Sequence, residues 1–220
     1  MTNKERYRKE INDVCKTMLS RCQKQLSKAH TALTTHDLDL AEEVMHTENY
    51  VNSLNLKIDK DCEQFLALYN PVAVDLRFIT AVRNINSELE RIGDHAYAIA
   101  QYVAQNEKGI SKDILKKLSY HEMYGIIEDM FDNVIDSYED KNLKIARKVF
   151  KKDKKVNKIN DKVFLQIEEL IKKDAKSIKD CLTMFSIIKK LERVGDLIKN
   201  IAEDIIFYVD AEVVRHQVKK

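Results

Sequence analysis

Proline and glycine are almost missing from this chain: there is one proline and there are four glycines in 220 residues, where an average sequence gives the two roughly 12% of its length. Sandwiches, barrels and dinucleotide-binding α/β units need turn residues at every strand end, so the shortage excludes them. The four cysteines, Cys15, Cys22, Cys62 and Cys181, are scattered and form no CxxC pair, which argues against a disulfide framework and against a zinc site. No stretch approaches the ~18 uninterrupted apolar residues of a membrane span. The opening MTNKERYRKE lacks the apolar centre of a secretory leader. An excess of one charge is missing too: 38 Lys and Arg face 36 Asp and Glu, a net of +2, so no global field draws the chain onto nucleic acid. Neither a GxSxG elbow nor a phosphate-binding P-loop occurs. These absences describe a soluble, cytoplasmic protein.

What is present is helical. Apolar residues make up 44% and charged residues 34% of the chain, and Leu, Ile, Glu and Lys without breakers favour long amphipathic helices. An all-α fold follows. Six helices are predicted, over 4–34, 37–69, 72–106, 112–138, 142–173 and 178–214, with Asp37 or Thr35 and then Ser111 as candidate N-caps and Pro71 in the first turn of the third helix. Val82, Ile85, Leu89, Ile92, Ala96, Ile99 and Val103 recur at alternating steps of three and four. Leu191, Val194, Ile198, Ile201, Ile205 and Tyr208 do the same. Such seams pack against other helices and form core.

The two halves repeat. LERIGDHAYAIAQYV (89–103) and LERVGDLIKNIAEDI (191–205) align without a gap at an offset of 102, with seven identities in fifteen positions. Upstream, 37–58 and 142–163 align at an offset of 105, again with seven identities. The predicted architecture is two tandem, pseudo-symmetric three-helix bundles, over residues 1–108 and 109–220.

Charged residues repeat along with the apolar ones. Glu90 and Asp94 lie one helical turn apart beside the seam, and Glu192 and Asp196 repeat the pair. Like charges at this spacing cost a few tenths of a kcal/mol unless a cation compensates them. On the second helix of each half, Glu48, Asn52 and Asn55 match Asp153, Asn157 and Asn160, forming oxygen-bearing stripes on either side of an interhelical groove. Oxygen donors from adjacent helices are how carboxylate sites for Mg, Mn, Fe or Ca are built. A solvated acidic face explains one such pair; two in register with Gly93 and Gly195 favour a site.

At NPVAVDLRF (70–78), ELERIGDHA (88–96) and KLERVGDLIKNIAEDIIFYV (190–209) the sequence resembles the PhoU family, over roughly residues 8–212. The resemblance implies a non-enzymatic regulator of phosphate homeostasis. Such a protein damps phosphate uptake and phosphate-starvation signalling through a Pst-type ABC transporter, by its ATPase subunit, and a sensor histidine kinase. It also implies a homodimer and, as in some members, iron or zinc clusters on each bundle; manganese or magnesium also suits oxygen donors. Carried over residue by residue, Glu48, Glu90 and Asp94 belong to the first site, with Asn52 as a neutral donor. Asp153, Glu192 and Asp196 belong to the second, with Asn157, Asn200 and Glu203. The sites are not copies: Asn200 and Glu203 match Ala98 and Gln101, and Asp59 matches Phe164.

Competing readings are a di-metal carboxylate enzyme, which would need paired ExxH motifs where only Glu43-Val44-Met45-His46 occurs, and a metal-free helical scaffold. His46 reads as a surface histidine. His95 adjoins the first site, but its counterpart is Leu197. The halves also differ in charge: 142–162 nets +7 and 37–57 nets −4. A basic helix of this kind faces solvent, an acidic partner or anionic lipid. No aromatics interleave with its lysines as nucleic-acid stacking requires.

Overall fold

The computed structural model describes residues 1–213; residue 214 of the predicted sixth helix and the end of the second half lie outside the described residues. Seven α-helices carry the fold: α1 (Asn3–Thr35), α2 (Leu38–Tyr69), α3 (Ala73–Ala104), α4 (Lys112–Lys117), α5 (Tyr120–Asp140), α6 (Leu143–Lys173) and α7 (Ile178–Asp210). A 3₁₀ turn, Ala175–Ser177, links the last two. No strand occurs among the described residues.

Local chemistry sets the helix ends. Thr2 and Glu5 form a reciprocal capping box, the Thr2 amide donating to Glu5 at 2.7 Å and the Glu5 amide to Thr2 Oγ1 at 3.2 Å. Asp37 caps α2 by accepting the Leu40 amide at 2.9 Å, and Asn142 caps α6 by accepting that of Lys144 at 3.1 Å. Asn70 stops α2 in the left-handed region at φ 41°, a conformation asparagine tolerates. Pro71 therefore lies in the α2–α3 turn and not in the first turn of α3.

The predicted fourth helix is two helices. Ser119 adopts φ 51° and breaks 112–138 into α4 and α5. The reason lies in its neighbours: Leu118 and Tyr120 are both fully buried, yet two residues apart on one helix they would point about 200° apart. The break lets both turn inward. Tyr120 then stacks on His30 and its hydroxyl lies 3.2 Å from His30 Nδ1. Burial lowers the pKa of His30 to about 4.

α1, α2 and α3 pack on one another, as do α5, α6 and α7, and the two sets join mainly through α3 against α7. A single apolar core runs through both. Three cross-helix hydrogen bonds define the α3–α7 register: Asn84 Nδ2 to Asp204 Oδ1 at 3.0 Å, Asn200 Nδ2 to Glu88 Oε1 at 3.2 Å, and Tyr102 with Ser186 at 2.9 Å between oxygens. In each pair the two residue numbers add to 288, as they do for Gly93 and Gly195. The pairing is antiparallel and symmetric under the repeat: adding 102 turns Asn84 into Ser186 and Tyr102 into Asp204.

The repeat extends to the first helix of each half. Cys15, Met18, Leu19, Cys22, Gln25, Leu26, Ala29, Ala32 and Leu33 are buried on α1, and the residues 105 further on are buried on α5. In this alignment Gln25 matches Met130.

Two of the helix-interior glycines, Gly93 and Gly195, meet different neighbours. A Cβ on Gly93 would lie 3.3 Å from Gln25 Oε1, Glu48 Oε2 and Val51 Cγ1, whereas one on Gly195 would meet Val156 Cγ1 at 3.5 Å. Alanine is favoured over glycine in a helix by up to about 1 kcal/mol. Gly195→Ala is expected to raise the urea midpoint, and Gly93→Ala to fall below it because three neighbours must give way. Equal shifts in the two denaturation curves would contradict this difference in packing.

Candidate metal centres

The ten sequence-selected residues separate into two sets that solve the same problem, a buried carboxylate on the middle helix, in different ways. In the first half Glu48 is buried on α2. Gln25 of α1 donates to its Oε2 at 2.7 Å and to the Val44 carbonyl at 3.4 Å. Burial raises the Glu48 pKa, with Asp94 adding to the rise and the Gln25 and Asn52 side chains opposing it. Glu90 is raised for the same first reason, burial, and then by Asp94 and Glu48. Glu48, Glu90 and Asp94 thus feel one another across the α2–α3 groove. Glu48 Oε1 and Gln25 Oε1 are buried with no hydrogen-bond donor among the described residues.

In the second half Asp153 is buried on α6. Met130 stands where Gln25 does and has nothing to donate. Lys199 of α7 reaches over instead, its ammonium 2.6 Å from Asp196 Oδ1 and 3.3 Å from Asp153 Oδ2. Asn157 Nδ2 adds a long contact to Asp153 Oδ2 at 3.5 Å. Burial still raises the Asp153 pKa, with Lys199 pulling against it. Burial works against the Lys199 ammonium, but its bonds to Asp196 and Asp153 outweigh it and hold its pKa above the ordinary value. Tyr97 occupies the position of Lys199 in the first half.

The remaining donors are placed as follows. Glu192 is half-buried on α7, one turn before Asp196, and Glu203 is half-buried two turns beyond it. Asn52 is exposed on α2. Asn200, expected among the second set, donates across to Glu88 of α3 and acts in the joint between halves. Asn55 and Asp59 are drawn into a polar knot of the first half alone: Asn86 Nδ2 donates to the Asn55 carbonyl, Asn55 Oδ1 and Asp59 Oδ1 at 3.1, 3.2 and 3.1 Å. Gln25 and Lys199 were missed in the sequence. Lys199 was legible as an i+3 partner of Asp196; Gln25 needed the first-helix repeat, which the aligned segments did not reach.

As arranged, no group of three or more His, Cys, Asp or Glu side chains among the described residues is set to hold a metal ion. By donor chemistry the halves still differ. Each half leaves buried oxygens without a donor among the described residues, Glu48 Oε1 in the first and Asp153 Oδ1, Asn157 Oδ1 and Asn160 Oδ1 in the second. What the first adds is three carboxylates, Glu48, Glu90 and Asp94, that repel one another, which suits a hard cation. The second already contains an ammonium between its two aspartates and does not suit one.

Comparison with known proteins agrees with the duplicated architecture. The PhoU domain family model matches residues 15–103 and again 120–205. The phosphate-specific transport system accessory protein PhoU of Edwardsiella tarda is 31% identical over 194 residues, covering 88% of this chain and 79% of that protein. The Escherichia coli protein of the same name is 30% identical over 200 residues, covering 91% and 82%. The crystal structure of PhoU from Pseudomonas aeruginosa superposes with a TM-score of 0.89 at 26% identity, over 94% of this chain and 99% of that one.

Two stability measurements separate the halves. The folded-state pKa of Glu48 lies above its unfolded value. Its contribution is therefore complete below the unfolded carboxylate pKa and is lost as pH rises through the folded one. Glu48→Gln is expected to stabilise chelator-treated protein at pH 7, by about 0.5 kcal/mol on the scale of like-charge helix pairs. The gain should vanish near pH 4. A Glu48→Gln protein less stable than wild type at pH 7 would mean that the charge is compensated. Lys199→Met leaves Asp153 and Asp196 without their cation and is expected to cost about 1–3 kcal/mol. In a Lys199→Met, Glu48→Gln protein added Mn²⁺ should recover part of that loss, read as a rise in melting temperature that the Glu48→Gln protein, which keeps Lys199, does not show.

Proposed function

The chain belongs to the PhoU family, and from that membership we propose that it is a regulatory adaptor of phosphate transport rather than an enzyme. One observation carries the reading: the PhoU domain family model matches both halves, over residues 15–103 and 120–205. Two relatives described above are named accessory proteins of a phosphate-specific transport system. The partner we assign is accordingly the Pst-type ABC transporter, through its ATPase subunit, with a phosphate-sensing histidine kinase as the second. The sense of the regulation is negative. No described helix is long and apolar enough to cross a membrane; we place the protein at the cytoplasmic side of the transporter, acting as a homodimer.

The first-half set is the metal centre we propose, with Glu48, Glu90 and Asp94 holding the ion and Asn52 beside them. A cation such as iron, zinc, manganese or magnesium would offset the charge of three carboxylates there and tie α2 to α3. Gln25 orients Glu48 through its 2.7 Å bond and leaves the other oxygen free to ligate.

Two experiments test this. In a host lacking its own PhoU-family protein, this chain is expected to restore repression of a phosphate-starvation reporter in phosphate-rich medium. Unchanged reporter output with the protein well expressed and folded would reject the adaptor reading. Elemental analysis of protein purified without chelator or affinity tag is expected to find a divalent or ferric ion that Glu48→Gln, Asp94→Asn protein lacks. Equal metal content in the two would remove the metal centre and leave the adaptor reading intact.

A further inference from the structure

The outer face of α6 carries cations that the fold does not use. Lys144, Lys148, Lys151, Lys155, Lys158 and Lys162 follow one another at alternating steps of four and three. At 100° per residue they fall within an arc of about 80°, and at 1.5 Å per residue the line is about 27 Å long. All six are exposed, and no ion pair or side-chain hydrogen bond ties any of them to another described residue. Of the cations beside the line, Arg147 is engaged with Glu212 and Lys152 with Asp129 at 3.0 Å, while Lys154 is exposed like the six.

Nothing in the fold calls for this arrangement. The equivalent positions of α2 are Asp39, Glu43, His46, Tyr50, Ser53 and Lys57, and α2 packs in its bundle as α6 does in its own. Lysines stacked at i+3 and i+4 repel one another and weaken an isolated helix. Such a line persists at the expense of the helix and is best explained by an anionic surface that it meets.

We propose that the α6 lysine line is a docking surface for anionic phospholipid headgroups, laying the helix flat on a membrane. This goes beyond the adaptor reading and does not rest on the metal centre. The line is straight and runs along the outside of a rod, which suits a plane more than a recess. Its charges are all lysine, mobile point charges on long stems, with none of the forked arginines that read carboxylates on a protein. The next step along the line is Leu165, 62% exposed, an apolar side chain able to enter between headgroups. A polyanionic bilayer attracts each lysine near its surface independently, so six in one line act together.

The test is co-sedimentation of the full chain with vesicles of phosphatidylcholine alone and of phosphatidylcholine mixed with phosphatidylglycerol. The wild type is expected to partition onto the mixed vesicles only, and raised salt should release it. Lys151→Gln, Lys155→Gln, Lys158→Gln is expected to weaken partitioning on the order of a hundredfold. A control with the same loss of charge elsewhere, Lys112→Gln, Lys116→Gln, Lys189→Gln, should bind as the wild type does. Circular dichroism establishes that each variant remains helical. Wild type that stays in the supernatant with mixed vesicles overturns the proposal, as does a control that loses as much as the line variant. Line-dependent binding to the transporter's ATPase subunit with no vesicle binding also overturns it, and hands the surface to a protein partner.

Discussion

The antiparallel pairing of α3 with α7 is the constraint on which the rest of the molecule depends. In each three-helix set the last helix, α3 or α7, carries an apolar strip beyond the face that its own set buries. Here those strips meet. The buried set of α3 includes Ala81, Gly93 and Ala100 beside the Val82–Val103 seam, and that of α7 includes Leu197, Ala202 and Ile206 beside its own, so each is wider than one seam. Burial of each large aliphatic side chain contributes roughly 1.5–3 kcal/mol, so the apolar contact supplies the stability. The three polar bonds across the joint, each worth about 1 kcal/mol net, select the register. That register brings Gly93 opposite Gly195. Glu90 and Asp94 on one helix and Glu192 and Asp196 on the other then flank a common midpoint.

Within that symmetric frame the halves diverge most in the chemistry around the middle helix. A carboxylate on the middle helix is buried in both, and an ion left alone in such a place is costly. The first half softens the cost with a neutral donor, Gln25, and leaves net negative charge. The second supplies a full positive charge from Lys199. The difference lies in two positions around the carboxylate, Gln25 against Met130 and Tyr97 against Lys199, and in the carboxylate itself, Glu48 against Asp153. The single polar knot around Asn86 belongs to the first half for the same reason: its counterparts Ile188 and Phe164 are apolar.

The helices, their order and the duplication were legible because each rests on a pattern repeated over many residues. The α3 and α7 seams appear in the spacing of Ile, Leu and Val, and Gly93 and Gly195 mark the register before any packing is known. What escaped was determined by single side chains. Ser119 carries no turn signature; it is left-handed because Leu118 and Tyr120 both need the core, a requirement that exists only once α1 brings His30 alongside. Asn200 has the chemistry of a ligand, and only the docking of α7 on α3 turns it toward Glu88. Lys199 lay beside Asp196 in the sequence, but its bond to Asp153, 46 residues away, needed the third dimension.

The exteriors of the halves reinforce the contrast at their sites, and magnitudes decide how. The α2 segment 37–57 carries net −4 and the α6 segment 142–162 net +7, so a cation is drawn to one half and repelled by the other. The α6 lysines, however, lie on the face opposite Asp153, across a helix about 10 Å in diameter. That is close to the Debye length of about 8–10 Å at physiological ionic strength. Their effect on the site is therefore attenuated and salt-dependent, whereas Lys199, at 2.6 Å from Asp196, acts inside the screening distance. The near charge sets which half suits a cation. The distant charges, free of any structural duty toward the site, are left to act outward on whatever the protein approaches.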